Sequence, residues 1–123
     1  CVRTNQGVNT TTEKVKYDDG GTVPVIRSTN IFPNRITWGN VKLIDKDTFD
    51  RVSENVKPKQ GDILYSNIGT IGNAAIVDSD NDFIIAWNVF RMQLNNGVHN
   101  RFLMYFLNYR KSLRTLNSCT MLA

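Results

Sequence analysis

Apolar residues in this chain recur mostly at strand spacing. Val89-Phe-Arg-Met-Gln-Leu94 alternates cleanly. Phe90, Met92 and Leu94 face one side and Val89, Arg91 and Gln93 the other, which is the period of two expected of a strand. Shorter apolar runs predict further strands over residues 22–27, 41–44, 62–67, 73–78 and 83–86. Pro24 puts the first of these at a sheet edge or a strand start, because proline cannot donate to a ladder. Turn chemistry punctuates the runs at Asp18-Asp19-Gly20-Gly21, at Lys57-Pro58-Lys59-Gln60-Gly61 and at Asn95-Asn96-Gly97. Ser79-Asp-Asn-Asp82 predicts a hairpin turn into the strand at Phe83. Residues 1–21 are polar and rich in Thr and Asn, and residues 28–40 mix Asn, Pro and Gly with single apolar residues, which reads as a long loop.

The period lengthens in two places. Residues 45–55 carry the capping choices and acidic first turn of a short helix. Residues 100–117 predict a long amphipathic helix with Asn100 as its N-cap. At 100° per residue, Phe102, Leu103, Phe106, Leu107, Tyr109, Leu113 and Leu116 share an apolar arc, with Arg101, Asn108, Lys111, Ser112 and Thr115 opposite. Arg110 and Arg114 fall on the arc or its edge, where they would pair with acids or meet a further surface. The whole predicts an α+β domain, a strand-rich body with one major helix packed on it.

A length of 123 residues suits one domain, and 41% hydrophobic residues exclude a disordered chain. The longest apolar run, Phe83 to Trp87, is far too short to cross a membrane. Cys1 and Cys119 are too few for a disulfide framework, so free thiols in a cytoplasmic protein are expected. A start at Cys1 and an end just past the helix read as a piece of a longer protein.

Charge is segregated. Residues 1–82 hold ten basic and all eleven acidic side chains, whereas residues 83–123 hold Arg91, Arg101, Arg110, Lys111 and Arg114 with no acid. That pattern suits a polyanionic or acidic partner, or simply a solvated helix face.

Catalytic chemistry is thin. His99 stands alone in a loop, no His/Cys set has zinc spacing, and neither a nucleophile elbow nor a Walker loop is present. Asp78, Asp80 and Asp82 have the spacing of an opening calcium loop, but a strand follows where the bidentate Glu would stand, so a turn is expected. Gly69-Thr-Ile-Gly72 reads as a tight crossing or a phosphate nest. Polar side chains able to bond base edges and phosphates gather in the predicted loops.

The order of these segments is more telling than any one of them. VPVIRSTNI (Val23 to Ile31), then VKPKQGDILYSNIGTIGNAAIV (Val56 to Val77), then the aromatic helix, resembles a target recognition domain from the specificity subunit of type I restriction–modification systems. The hallmark is Gly61-Asp62-Ile63-Leu64 followed by Gly69-Thr70-Ile71-Gly72, and the likeness runs from about Gly21 to Leu116. The resemblance implies a twisted, mainly antiparallel sheet with peripheral helices. It also implies a single non-catalytic domain over residues 1–123, reading one half of a split double-stranded DNA target. Methyltransferase and restriction subunits would be its partners. They would use S-adenosylmethionine and ATP, and no cofactor would bind here. We expect Arg27, Thr29, Asn30, Tyr65, Ser66, Asn67 and Thr70 to face DNA, and Lys14, Lys16 and Lys59 to meet phosphates. Gly61, Asp62, Gly69 and Gly72 are expected to be structural. The alternatives are a protein-interaction module and the recognition domain of a fused methyltransferase or endonuclease.

Overall fold

A computed structural model describes residues 2–9, 15–66, 72–94 and 99–116. Its elements are β1 (Val2–Gln6), β2 (Val23–Ile26), β3 (Ile31–Phe32), β4 (Arg35–Ile36), β5 (Lys42–Ile44), α1 (Lys46–Arg51), β6 (Ile63–Ser66), β7 (Ala74–Ile76), β8 (Ile84–Ile85), β9 (Val89–Leu94) and α2 (Asn100–Leu116). Short 3-10 turns lie at Ser28–Asn30 and Glu54–Val56.

Pairing sorts the strands into three sheets, ordered β1-β9-β6-β7, β5-β2-β8 and β3-β4. The first is antiparallel throughout, but in the second β2 runs parallel to β8, with Val25 opposite Ile84. The α+β class therefore holds, while the single, mainly antiparallel sheet becomes three. Residues 79–82 explain the difference. They do not close a hairpin; they carry the chain from β7 in one sheet to β8 in another. Turn chemistry marks a change of direction without naming the strand that receives it.

The four-stranded sheet is covered on both faces, so its strands alternate between two interiors. Leu64, Ala75, Val77 and Val89 join the main core with Val25, Ile26, Ile84, Ile85 and Phe83 from around the second sheet. Each fully buried Val, Leu, Ile or Phe side chain among them contributes about 1.5–3 kcal/mol. Trp38 meets Phe83 edge-to-face, with ring centroids 5.1 Å apart. Ile63 and Ala74 point the other way and pack with Met92, Leu94 and the α2 residues Leu103, Met104 and Leu107. In β9 the half-buried alternate set is the one under α2, while Val89 and Arg91 are the deeply buried pair.

β1 forms from a segment with no apolar pattern. It needs none, because its ladder to β9, from Val2 opposite Leu94 to Gln6 opposite Phe90, is made by the backbone, and a polar edge strand discourages further pairing. The expected 45–55 helix is shorter. Asp45 caps α1 by accepting the Thr48 N–H (2.8 Å), and hydrogen bonds from the Thr48 side chain and N–H hold the Asp45 carboxyl below its ordinary range. That support is present above the ordinary carboxylate range and fades as pH falls through the lowered value. The chain then leaves the helix after Arg51 and turns again at Glu54–Val56.

α2 departs from the expected arc. Met104 is buried and Leu103 and Leu107 half-buried, but Phe102, Tyr105, Phe106 and Tyr109 are 46–69% exposed. The side chains of Arg110, Lys111, Leu113, Arg114 and Leu116 lie outside the described residues. Asn108, expected opposite the apolar arc, faces the sheet. It accepts the Ala74 N–H (2.9 Å) and donates to Ala74 O (3.1 Å), capping the open edge of β7. His99, not Asn100, caps the helix start by accepting the Phe102 N–H, while Asn100 donates to Gly61 O. Replacing Asn108 with Ala should strand the buried Ala74 amide and cost about 1–3 kcal/mol. Urea denaturation measures the loss, and faster hydrogen exchange along α2 would localise it.

Candidate nucleic-acid interface

Strand register brings several connecting segments to one end of the molecule. β6 finishes at Ser66, opposite Val89 at the start of β9, and its Tyr65 stands opposite Ala74 at the start of β7. β1 finishes at the same end, with Gln6 opposite Phe90. The turn that follows β2 arrives there as well. Asn88 donates to Ser28 Oγ (3.0 Å) and accepts the Ser28 N–H (3.3 Å). The β3–β4 hairpin completes this rim. Asn73 Nδ2 donates to Ile31 O (3.0 Å), and the Asn34 N–H donates to Ala74 O (2.9 Å).

The hairpin is made by its turn. Pro33 fixes one φ and Asn34 takes the left-handed conformation (φ 69), the pattern of a type II turn. Asn34 tolerates it because its Oδ1 accepts from Asn108 Nδ2 (2.8 Å). On the exposed face, the Arg35 guanidinium lies 4.6 Å from the centroid of the Phe32 ring. Trp87, 47% exposed, sits further along the rim, where its carbonyl accepts from Gln6 Nε2. Among the described residues the rim carries no acid: residues 22–41 hold Arg27 and Arg35 but no carboxylate, and residues 63–77 hold no charge.

The sequence-predicted residues divide. Thr29 is exposed on the rim. Arg27 is half-buried there and its Nη2 donates to Asn40 O (3.4 Å), while its buried Nε has no partner among the described residues. Asn30 was expected to face DNA but is only 2% exposed. Its Oδ1 accepts the Arg27 N–H and its Nδ2 donates to Asn40 O, so both ends of the amide hold the turn together. Ser66 is likewise interior, 0% exposed, and its Oγ accepts the Asn73 N–H (2.9 Å). The expectation of Asn30 and Ser66 on the outer surface is corrected by those bonds: a short polar side chain in a turn is used first by its own backbone. Tyr65 is half-buried against the α2 cluster. Asn67, Gly69, Thr70 and Lys14 lie outside the described residues.

Lys59 and Lys16 do not join the rim. Lys59 sits at the opposite end of β6, where its Nζ is 4.0 Å from Glu54 Oε1. Lys16 is exposed two residues before Asp18, whose N–H donates to Leu43 O in β5, opposite Pro24 near the start of β2. Around Lys59 the charges are mixed. A hydrogen bond from Lys57 holds the Glu54 carboxyl below its usual range.

Of the structural set, Gly61 and Gly72 both lie at positive φ (96° and 97°), which a side chain would resist. Asp62 is structural through an ion pair with Arg91 (2.7 Å). Sequence reasoning missed Phe32, Arg35 and Trp87. The signal was present as Pro33-Asn34, a turn pair between Ile31-Phe32 and Arg35-Ile36, but two-residue strands are too short to show a period.

A family model described as "Type I restriction modification DNA specificity domain" matches residues 6–121. No curated protein matches the chain. Among solved structures, a chain from work on complex assembly and conformational transition of the type I R-M system aligns with a TM-score of 0.62 at 13% identity. The HsdS subunit from Thermoanaerobacter tengcongensis aligns with a TM-score of 0.56 at 15% identity. Each alignment covers 88% of this chain and 25% of the other, so the chain spans about a quarter of the length of these structures. At such identities the likeness is one of fold.

Proposed function

The chain belongs to the family of type I restriction–modification DNA specificity domains, and from that premise we propose that it reads one half of a bipartite double-stranded DNA target. The observation that supports this most is the acid-free rim, where Thr29, the β3–β4 hairpin and Trp87 are presented together by strands of all three sheets. Base edges are read by short polar and arginine side chains held on a rigid frame, and a large positive field is not required for that part of the work. In this reading the domain performs no chemistry. Methylation with S-adenosylmethionine and cleavage driven by ATP belong to other subunits of the complex. The exposed aromatic face of α2, Phe102, Tyr105, Phe106 and Tyr109, is left for contact with protein.

The test is an exchange of this domain within its full-length specificity subunit for the equivalent domain of a subunit with a different target. Mapping methylated sites in cells should show one half of the target replaced and the other unchanged. An unaltered methylation pattern would refute the assignment.

A further inference from the structure

We propose that the β3–β4 hairpin is the base-reading element of the rim and that Arg35 is its specificity-determining residue, directed at guanine; this rests on the DNA-reading function proposed above. A two-stranded ribbon is one of the two shapes that a major groove admits. This ribbon is narrow, because it is built from Ile31–Phe32 and Arg35–Ile36 with Pro33 and Asn34 between them. Phe32, Pro33, Asn34 and Arg35 are all exposed, while Ile31 at its root is buried.

Two observations separate Arg35 from the other rim arginine. Arg27 reaches back to Asn40 O and is half-buried. Arg35 stacks on Phe32, and no carboxylate among the described residues pairs with it. Stacking engages the face of the guanidinium and leaves the N–H donors at its edge for a partner, in a plane already restrained by the ring. A planar fork of that kind matches the O6 and N7 acceptors of guanine.

The support beneath the hairpin is equally specific. Asn34 is held through its backbone by Ala74 and through its side chain by Asn108, Ile31 is held by Asn73, and the Thr37 N–H donates to Asn30 O (2.8 Å). Three asparagines from three segments thus anchor a four-residue projection. Asn30 and Asn73 are buried and Asn108 is half-buried, so they serve as props rather than readers, and their geometry fixes where Arg35 points.

The experiment uses the full-length specificity subunit assembled with its methyltransferase partner. Arg35→Ala, Arg35→Lys and the whole-domain exchange are compared by methylation-site mapping and by binding to duplexes that vary each target position, at several salt concentrations. Arg35→Ala should lose preference at one guanine position by about fivefold to hundredfold while leaving the other positions unchanged. Arg35→Lys should restore overall affinity without restoring that preference. Thermal melting of both variants should match the parent, since Arg35 is exposed. Uniform weakening on every duplex, with a salt slope lower by about one, would show a phosphate contact and overturn the inference. So would unchanged binding. If the domain exchange changes the target while Arg35 variants do not, this inference alone fails; if the exchange changes nothing, the functional reading fails with it.

Discussion

Replacing Asp62 with Ala should destabilise the domain by about 3–5 kcal/mol, out of the 5–15 kcal/mol by which small domains are stable. The reason is the guanidinium left behind. Arg91 is 4% exposed and cannot reach water by a change of rotamer. Its Nε donates to Asp62 Oδ2 (2.7 Å), and its Nη1 donates to Glu54 O (2.9 Å) and Asn55 O (3.3 Å). The same Asp62 oxygen also accepts the Lys59 N–H (2.8 Å), closing the turn that launches β6. One carboxylate therefore balances the buried cation and fixes the strand start, and carbonyl dipoles alone would not replace a full charge. Arg91→Met should cost less, because Asp62 keeps its backbone donor and its side chain is 12% exposed. The double variant Asp62→Leu/Arg91→Met should recover most of the loss, since apolar replacements remove the desolvation penalty of both ions. Urea denaturation compares the parent with the three variants. A loss below about 1 kcal/mol for Asp62→Ala would show that the pair is solvated and the interior reading wrong.

That pair also shows what could be read from the chain and what could not. The alternation of β9 was legible, and so was the strand after Gly61-Asp62. Nothing local says that Arg91, on the face of β9 that looks polar, turns inward to meet an aspartate on the neighbouring strand. Strand order decides it, and strand order is a long-range property. The same holds for α2. Its helical period was clear, yet the arc that packs is Leu103, Met104, Leu107 and Asn108, and four aromatics stay outside. Hydrophobicity ranks residues by what they would gain from burial, while docking geometry decides which of them find a surface. Of the DNA-facing set, Thr29 and Arg27 arrive on the rim, whereas Asn30 and Ser66 are consumed by the turns that they were thought to decorate. The hairpin is hidden in the sequence because each of its strands has two residues, a single repeat of the strand period.

The burial of Arg91 alters the charge argument too. One of the five bases after Asp82 is neutralised inside the fold by an acid from the first part. The remaining excess lies on α2, which starts at Asn100 beside Gly61 and runs along the sheet to Asn108, whose side chain meets Ala74 and Asn34 at the rim.

Gly7→Ala is the second substitution with a large expected effect. Gly7 and Val8 pass directly alongside the connection between β8 and β9. The Gly7 N–H donates to Val89 O (2.9 Å), the Val8 N–H donates to Ile85 O (2.8 Å), and Val8 forms a parallel bridge with Ala86. This is where the four-stranded and three-stranded sheets meet, because β8 belongs to one and β9 to the other. A methyl group on Gly7 would fall onto Ala86 O and within 2.5 Å of Ile85 O. Both are backbone atoms, so no rotamer relieves the clash. The chain can only move away and give up the two hydrogen bonds, which places the cost at or above the usual overpacking range, about 3 kcal/mol. Gly39→Ala is the matched control: its new methyl meets nothing within 4 Å and should leave stability within about 0.5 kcal/mol. Urea denaturation reads both, and hydrogen exchange should show β1 opening first in Gly7→Ala. Because Gln6 holds the Trp87 carbonyl, that opening should also loosen the rim and weaken DNA binding in the full-length subunit across all sequences, without the single-position signature expected of Arg35. Equal stability of Gly7→Ala and the parent would mean that the crossing is looser than the structure shows.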